Sequence, residues 1–306
     1  MRKAEAGKIS YEGHSGCPNG GCTNHEARNR DFAVKKGYFK TKWNGQPVRR
    51  YRCRDCGRSF SSHTRRETYG QHRPDLNEVV LKLYASAMTQ RRMAIVLGIN
   101  RKTVVRKFLF AAYLARKEHQ RRIEEGELKT SVAQFDEMES FEHTRLKPLS
   151  VAIAVRARTG EILDAQVATM SCKGHLAAVA LRKYGWRPDT RNTARRNVLS
   201  KIRRCSRPWL TVVSDKHPAY PGLIGNLLPH AAHLALSRTS KPDLSISPYR
   251  KNQDDPMFTL NYTAAKIRHD LSRMARKVWV TTKKKERLQA HLDLYIAWNN
   301  AYRLRA

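Results

Sequence analysis

Acidic side chains are scarce in this sequence. Its 306 residues hold 26 Asp and Glu against 60 Lys and Arg, a formal charge of +34, far beyond what solubility requires. Such an imbalance excludes a basic partner and points to a polyanion. Nucleic acid fits best, because neutralising phosphates releases counterions and the basic residues run along the whole chain rather than one tail. A membrane surface is the weaker alternative. Long apolar runs are also missing. No segment approaches the ~18 uninterrupted apolar residues of a membrane span, and the opening MRKAEAGKIS has charge without an apolar stretch behind it. The expectation is a soluble intracellular protein with no membrane partner. Repeats and low-complexity tracts are absent as well, and the length exceeds one average domain, so two or three folded units are expected.

Cysteine is sparse, six in all, yet four fall in two close pairs, Cys17 with Cys22 and Cys53 with Cys56. In a reducing compartment such pairing favours metal over disulfides. The spacing C-x4-C, thirty residues, then C-x2-C-G is that of a zinc ribbon, in which turns bring four thiolates to one structural Zn2+ without a large core behind them. Asn44-Gly45 lies between strand-like runs and predicts a tight hairpin turn that carries the second pair. His14 and His25 read as surface histidines, and the solitary Cys172 and Cys205 as core residues.

From Leu76 to Tyr113 the apolar residues recur at three-to-four spacing (Val79, Val80, Leu83; Met93, Ala94, Leu97; Val104, Val105, Phe108), which predicts three short helices. Ala94, Gly98 and Val104 fall where a helix-turn-helix wants a small residue at the crossing, Gly in the turn and an apolar residue on the second helix. Asn100 would cap that second helix, so that Arg101, Lys102, Thr103, Arg106 and Lys107 project toward bases or phosphates. The bland alternative is a three-helix bundle with a solvated basic face. A charged stretch, ARKEHQRRIEEGELK, reads as a helical tail leading into a linker.

Beyond Thr130 the runs SVAQFDEMES, LSVAIAVRA and EILDAQVATM predict an antiparallel meander, HLAAVALRKYG a helix ended by Gly185, WLTVVSD and AAHLALSR further strands, and Asn261 to Trp298 mostly helix. The fold class is thus α/β, a mixed sheet with flanking helices. RNTARRNVLSKIRRCSRP reads as a basic insertion, a loop or short helix, whose Arg195, Arg196, Arg203 and Arg204 would contact phosphates, with Lys173 and Arg191 nearby. Against the scarcity of acid, Asp136, Glu137, Glu139 and Glu142 cluster on the first strand, and Asp215 ends a later one. Strand alternation puts Asp136 with Met138 on one face and Glu137 with Glu139 on the other. Carboxylates on neighbouring strand ends hold hard cations through oxygen.

Zinc ribbon, helix-turn-helix, FDEMES at Asp136 and SDKHPAY from Asp215 to Tyr220, in that order, resemble the transposases of bacterial insertion sequences, over nearly the whole chain. That resemblance implies a ribonuclease-H-like catalytic domain with an Asp-Asp-Glu triad, Mg2+ or Mn2+ as catalytic cations, double-stranded DNA (element ends and target) as partner, a homo-oligomer that holds both ends, and a place in the bacterial cytoplasm at the nucleoid. It makes Asp136 and Asp215 the first two metal ligands. The third position departs from the family: Asn261 stands where Glu is usual, with Arg268 in the place of the basic residue that often follows. An amide carbonyl ligates magnesium with less charge than a carboxylate, and Asp254 or Asp255 remain alternatives to it. Asp270 would face the other side of the helix. His217 reads as a surface residue. The expected division is a ribbon over 1–68, helix-turn-helix over 69–116, linker over 117–127 and catalytic domain over 128–306. Two rival readings stay open: a DNA-binding regulator that has lost cutting, and an RNA-processing nuclease on the same fold.

Overall fold

The structure is a computed structural model that describes residues 16–26, 31–236, 255–275 and 280–302. The chain forms two compact units that divide between Asn77 and Glu78.

In the first unit, strands β1 (Ala33–Lys40) and β2 (Pro47–Cys53) pair antiparallel, and β3 (Ser59–Ser61) adds to β2. The β1–β2 turn closes through Thr41 and Gln46, with Gly45 at φ +69°, a left-handed conformation that costs glycine nothing. The apolar core is small: Phe32, Tyr51 and Phe60, with ring centroids 5.5–5.8 Å apart, against Cys17, Cys22 and Cys53. A core of this size calls for a staple.

The second unit begins with a helix cluster, α1 (Leu76–Ala85), α2 (Gln90–Val96) and α3 (Arg101–Glu124), closed around Val80, Met93 and Val104. Thr89 caps α2, and the Asn100 side chain accepts the Lys102 N–H at 2.8 Å to cap α3. Gly98, at φ +60°, makes the turn between them. Beyond its first turns α3 buries Phe108 and Ala112 against Ala290 and Leu294 of the C-terminal helix Lys285–Tyr302, and His119 bonds the Leu163 carbonyl at 2.8 Å. The expected linker over 117–127 is therefore mostly helix, fastened to the sheet, and the helix cluster and the five-stranded sheet belong to one compact unit. The acidic and basic pairs along this stretch, such as Glu118 with Arg121, support it as helix rather than tether.

Strands β4 (Thr130–Phe141), β5 (Pro148–Arg156) and β6 (Ile162–Thr169) form the expected meander, and β7 (Ser206–Asp215) and β8 (Ala232–Leu236) run parallel to β4 on its other side. The sheet order is β6-β5-β4-β7-β8. One face packs α5 (Arg191–Cys205), α6 (Tyr220–Leu227) and the end of α3, and the other packs the helix Phe258–Asp270 and the C-terminal helix. Cover on both faces explains why β5 is buried from Leu149 to Val155 instead of alternating. A further helix, α4 (Leu176–Tyr184), ends at Gly185 with φ +71°, as expected.

The segment taken for a loop or short helix is α5, fifteen residues long, with Ala194, Arg195, Val198, Leu199, Ile202 and Cys205 buried. Its apolar stripe at i, i+4, i+8 is interrupted in the sequence by exposed arginines, which mask the period. Cys205 lies in the core, while Cys172 is only partly buried. Among the described residues, no helix is long and apolar enough to cross a membrane.

Candidate functional site

In the first unit the four paired cysteines converge. Their Sγ atoms lie within 4.8 Å of one another, with Cys17–Cys56 at 3.6 Å and Cys22–Cys53 at 3.7 Å. Sulfur atoms each ~2.3 Å from a tetrahedral zinc are about 3.8 Å apart, so the quartet has the size of a Zn2+ cage, and these distances are far too long for disulfides. The two turns that present the thiols are tied together by Thr23 Oγ1 donating to Asp55 at 2.6 Å. Gly16 precedes the first ligand with φ +78°, and a Cβ there would meet the His25 carbonyl oxygen at 2.0 Å, so only glycine lets the chain enter this turn. The His25 ring bonds the Cys17 carbonyl at 2.8 Å and is not a fifth candidate. His14 lies outside the described residues.

The second site sits where β7 ends beside the middle of β4. Phe135 is in register with Ser214, so Asp136 and Asp215 are the next residues on adjacent strands, which run ~4.8 Å apart. Both line a cavity of about 570 Å³, together with His217, Asp255, Asn261 and Arg268. Asn261 and Arg268 are seven residues apart, two turns along the helix Phe258–Asp270, and so share a face. Asp270 is turned elsewhere and accepts from Tyr295 Oη at 3.0 Å. Burial pushes the Asp136 carboxyl up to about 6; the charges of Asp215 and Glu137 add to this, while the Glu137 N–H and the Arg268 guanidinium pull it back. Asn261 Nδ2 donates to Asp255 at 2.7 Å, so both described candidates for the third position occupy the same cavity. Asp254 lies outside the described residues. Among the described residues, the four thiols are the one group of three or more Cys, His, Asp or Glu side chains with ligand atoms drawn within 4.8 Å; the carboxylates of this cavity are not drawn together in that way.

Two supports of this cavity carry no motif in the sequence. Buried Gln134, two residues before Asp136, donates to the Pro256 carbonyl at 2.6 Å and accepts the Leu260 N–H at 2.7 Å, latching the strand to the helix that carries Asn261. A polar residue inside an apolar strand was the only available signal. The other is an ion pair on the opposite face of β4. Arg195 Nε donates to Glu137 at 2.9 Å, and the same carboxylate accepts from Ser150 Oγ at 2.7 Å and from Tyr220 Oη at 3.3 Å. His217 stacks on Tyr220 with centroids 4.8 Å apart. Its pKa is lowered by burial and by the Arg195 charge, against the opposing charges of Glu137 and Asp215.

The basic residues expected to face nucleic acid divide. Arg101, Lys102 and Arg106 are exposed on the first turns of α3 and Thr103 is half-buried, whereas Lys107 is buried. Lying between Val104 and Phe108 on the inward side, Lys107 cannot reach a base edge, which corrects that expectation. Arg195 is corrected likewise: its side chain is 7 % exposed and committed to Glu137, so it is no phosphate contact. Arg196, Arg203 and Arg204 are exposed on α5. Arg191 forks onto Asp189, and Arg268 belongs to the cavity. Asn100 acts as a cap.

Compared with protein families, the chain matches no family model, and no curated protein matches its sequence.

Proposed function

We propose that this chain is a DNA transposase that binds the ends of a mobile element and carries out metal-dependent phosphodiester cleavage and strand transfer. The observation that carries the reading is the placement of Asp215, at the end of β7, beside Asp136 in the middle of β4, with Asn261 and Arg268 lining the same cavity. A ribonuclease-H-like fold is consistent with the sheet order, three antiparallel strands extended by two parallel ones. A helix-turn-helix is consistent with α2, the Leu97–Asn100 turn and capped α3.

The donor set suits a hard cation: two carboxylates and an amide, all oxygen ligands. Mg2+ or Mn2+ held by Asp136, Asp215 and Asn261 would supply activation of a water or 3'-hydroxyl and neutralisation of the leaving oxygen. The chain's own residues do the rest. Arg268 sets a fixed positive charge beside the carboxylates, where a phosphate must approach. Gln134 holds the helix against β4, fixing Asn261 relative to Asp136. Arg101, Lys102, Thr103 and Arg106 dock α3 on the element end, and Arg196, Arg203 and Arg204 contact phosphates without reading sequence. The zinc ribbon adds a second DNA-facing module, and a homo-oligomer holds two ends together.

Cleavage and joining on DNA carrying the element's ends, with Mg2+ or Mn2+, tests the reading. Asp136→Ala and Asp215→Ala are expected to abolish both steps while leaving DNA binding intact. Asn261→Ala and Asp255→Ala, compared side by side, identify the third ligand. A native chain that binds DNA tightly and cuts none would favour the second reading, a non-catalytic DNA-binding regulator, which the amide in place of a third carboxylate keeps in play.

A further inference from the structure

A second cavity in the 78–306 unit, of about 590 Å³, opens between the helix cluster on one side and residues 270–273, 280–283 and the start of the C-terminal helix on the other. Five cations line it: Arg91 and Arg101 from the helix cluster, and Arg273, Lys283 and Arg287 from the C-terminal part. Its one carboxylate, Asp270, is already engaged by Tyr295 Oη at 3.0 Å and by His269 at 2.8 Å. The groove is therefore strongly positive, and Arg273 is held there against burial that lowers its pKa, a cost that an anionic ligand would offset.

The floor of the groove is tightly tied. Tyr84 Oη donates to the His291 carbonyl at 2.9 Å, and the Tyr84, Phe108 and His291 rings pack at tilted angles with centroids 4.4–5.5 Å apart. Arg101, the first residue of α3, and Arg287, on the C-terminal helix, thus line one groove over a shared, packed floor. Arg101 is also the residue at which α3 would enter DNA.

We propose that this groove takes the sugar–phosphate backbone of the same duplex DNA that α3 docks on, so that Arg273, Lys283 and Arg287 extend the footprint of the helix cluster onto the C-terminal part of the unit. The proposal rests on the DNA-binding half of the reading above and not on catalysis. The cavity is too small for a whole duplex and grips one strand's edge. Each cation acts as a point charge on phosphate and reads no sequence.

Counterion release gives the test. Binding of full-length protein to an end-bearing duplex is measured by fluorescence anisotropy from about 0.05 to 0.3 M KCl. Each lost phosphate contact lowers the slope of log K against log salt by about 0.9. The double variant Lys283→Gln/Arg287→Gln is expected to lower it by about 1.8, and adding Arg273→Gln by about 2.7, with affinity near 0.1 M salt falling roughly 10²-fold or more. Because Arg273 is half-buried, the double variant, Arg287→Lys and thermal melts guard against misfolding: Arg287→Lys keeps the charge and should keep the slope. An unchanged slope in correctly folded variants overturns the proposal, as does a change seen on duplex RNA and not on DNA. A native chain that cuts no DNA, with the slope lowered as stated in the variants, would sink the transposase reading and leave the groove standing.

Discussion

Replacing Asp136 by asparagine should make the protein more stable while removing its metal response. The Asp136 carboxyl is raised from the ordinary 3.8 to about 6, and at about 1.36 kcal/mol per pH unit this is a folded-state penalty of about 3 kcal/mol on the ionised form. The sign comes from the direction. A carboxyl with a raised folded pKa binds its proton more tightly in the native state, so its contribution is most favourable below pH 3.8, declines as pH rises to about 6, and stays unfavourable above. At pH 7.5, with part of the penalty screened by water at the cavity mouth, Asp136→Asn should recover about 1–3 kcal/mol. In a unit of this size that corresponds to a Tm rise of roughly 2–10 °C. On the proposed reading a bound divalent cation would reverse the penalty in the native chain: at 100-fold excess over Kd it would add about 2.7 kcal/mol, which the variant would forgo. Thermal melts of both proteins at pH 5 and pH 7.5, with and without Mn2+, check this. The variant's advantage should shrink at pH 5, and Mn2+ should raise the Tm of the native chain alone. A variant that melts lower than native at pH 7.5, or gains equally from Mn2+, would refute the assignment of Asp136 as a strained ligand.

The thiol cage and the Arg195 ion pair can be tested in the same way. Chelating zinc, or Cys53→Ser, should unfold the 1–77 unit and spare the 78–306 unit, because the ribbon's core offers little beyond Phe32, Tyr51 and Phe60 while zinc supplies ~10–16 kcal/mol in such modules; native mass spectrometry should find one zinc per chain, and a ribbon transition that persists in the metal-free protein would refute it. Arg195→Met strands the Glu137 carboxylate and should cost about 3–5 kcal/mol in urea melts, much of it recovered in Arg195→Met/Glu137→Leu. The salt slope of DNA binding should not move in the double variant, and a fall of about 0.9 would return Arg195 to the phosphate contacts.

Features set by local chemistry were legible in the sequence. The cysteine spacing found the thiol cage, Asn44-Gly45 found the hairpin, Gly185 ended α4, and short strand-like runs set apart by turn signals found β4 to β6. Asp136 and Asp215 stood out because acid is scarce, and both line one cavity with Asn261 and Arg268, although Asp136 lies in the middle of β4 and only Asp215 ends its strand. What the sequence hid depends on partners far along the chain. Arg195 looks solvated until Glu137, 58 residues away, is beside it. Lys107 sits on a helix face that periodicity assigns inward, yet its type suggests outward; the helical period was the better guide. The buried stripe of α5 was obscured because five arginines occupy the same fifteen residues. Gln134 and the groove at Arg273, Lys283 and Arg287 bring together segments separated by more than a hundred residues, which no window of local pattern spans.

The amide at position 261 connects these observations. Asp255 accepts a hydrogen bond from it, and an ionised carboxylate accepts only from the nitrogen end, so the carbonyl oxygen is the end turned away from Asp255. If the proposed reading holds with Asn261 as third ligand, Asp255 would orient that ligand, and the metal set would carry two negative charges, from Asp136 and Asp215, in place of the three of an all-carboxylate triad. Two divalent cations would bring four positive charges, so more of their neutralisation would have to come from the phosphates of bound DNA. Such a site would load its cations best with DNA already in place, which predicts that Mn2+ raises the Tm of the native chain more in the presence of an end-bearing duplex than in its absence; an equal rise in both would refute this charge argument.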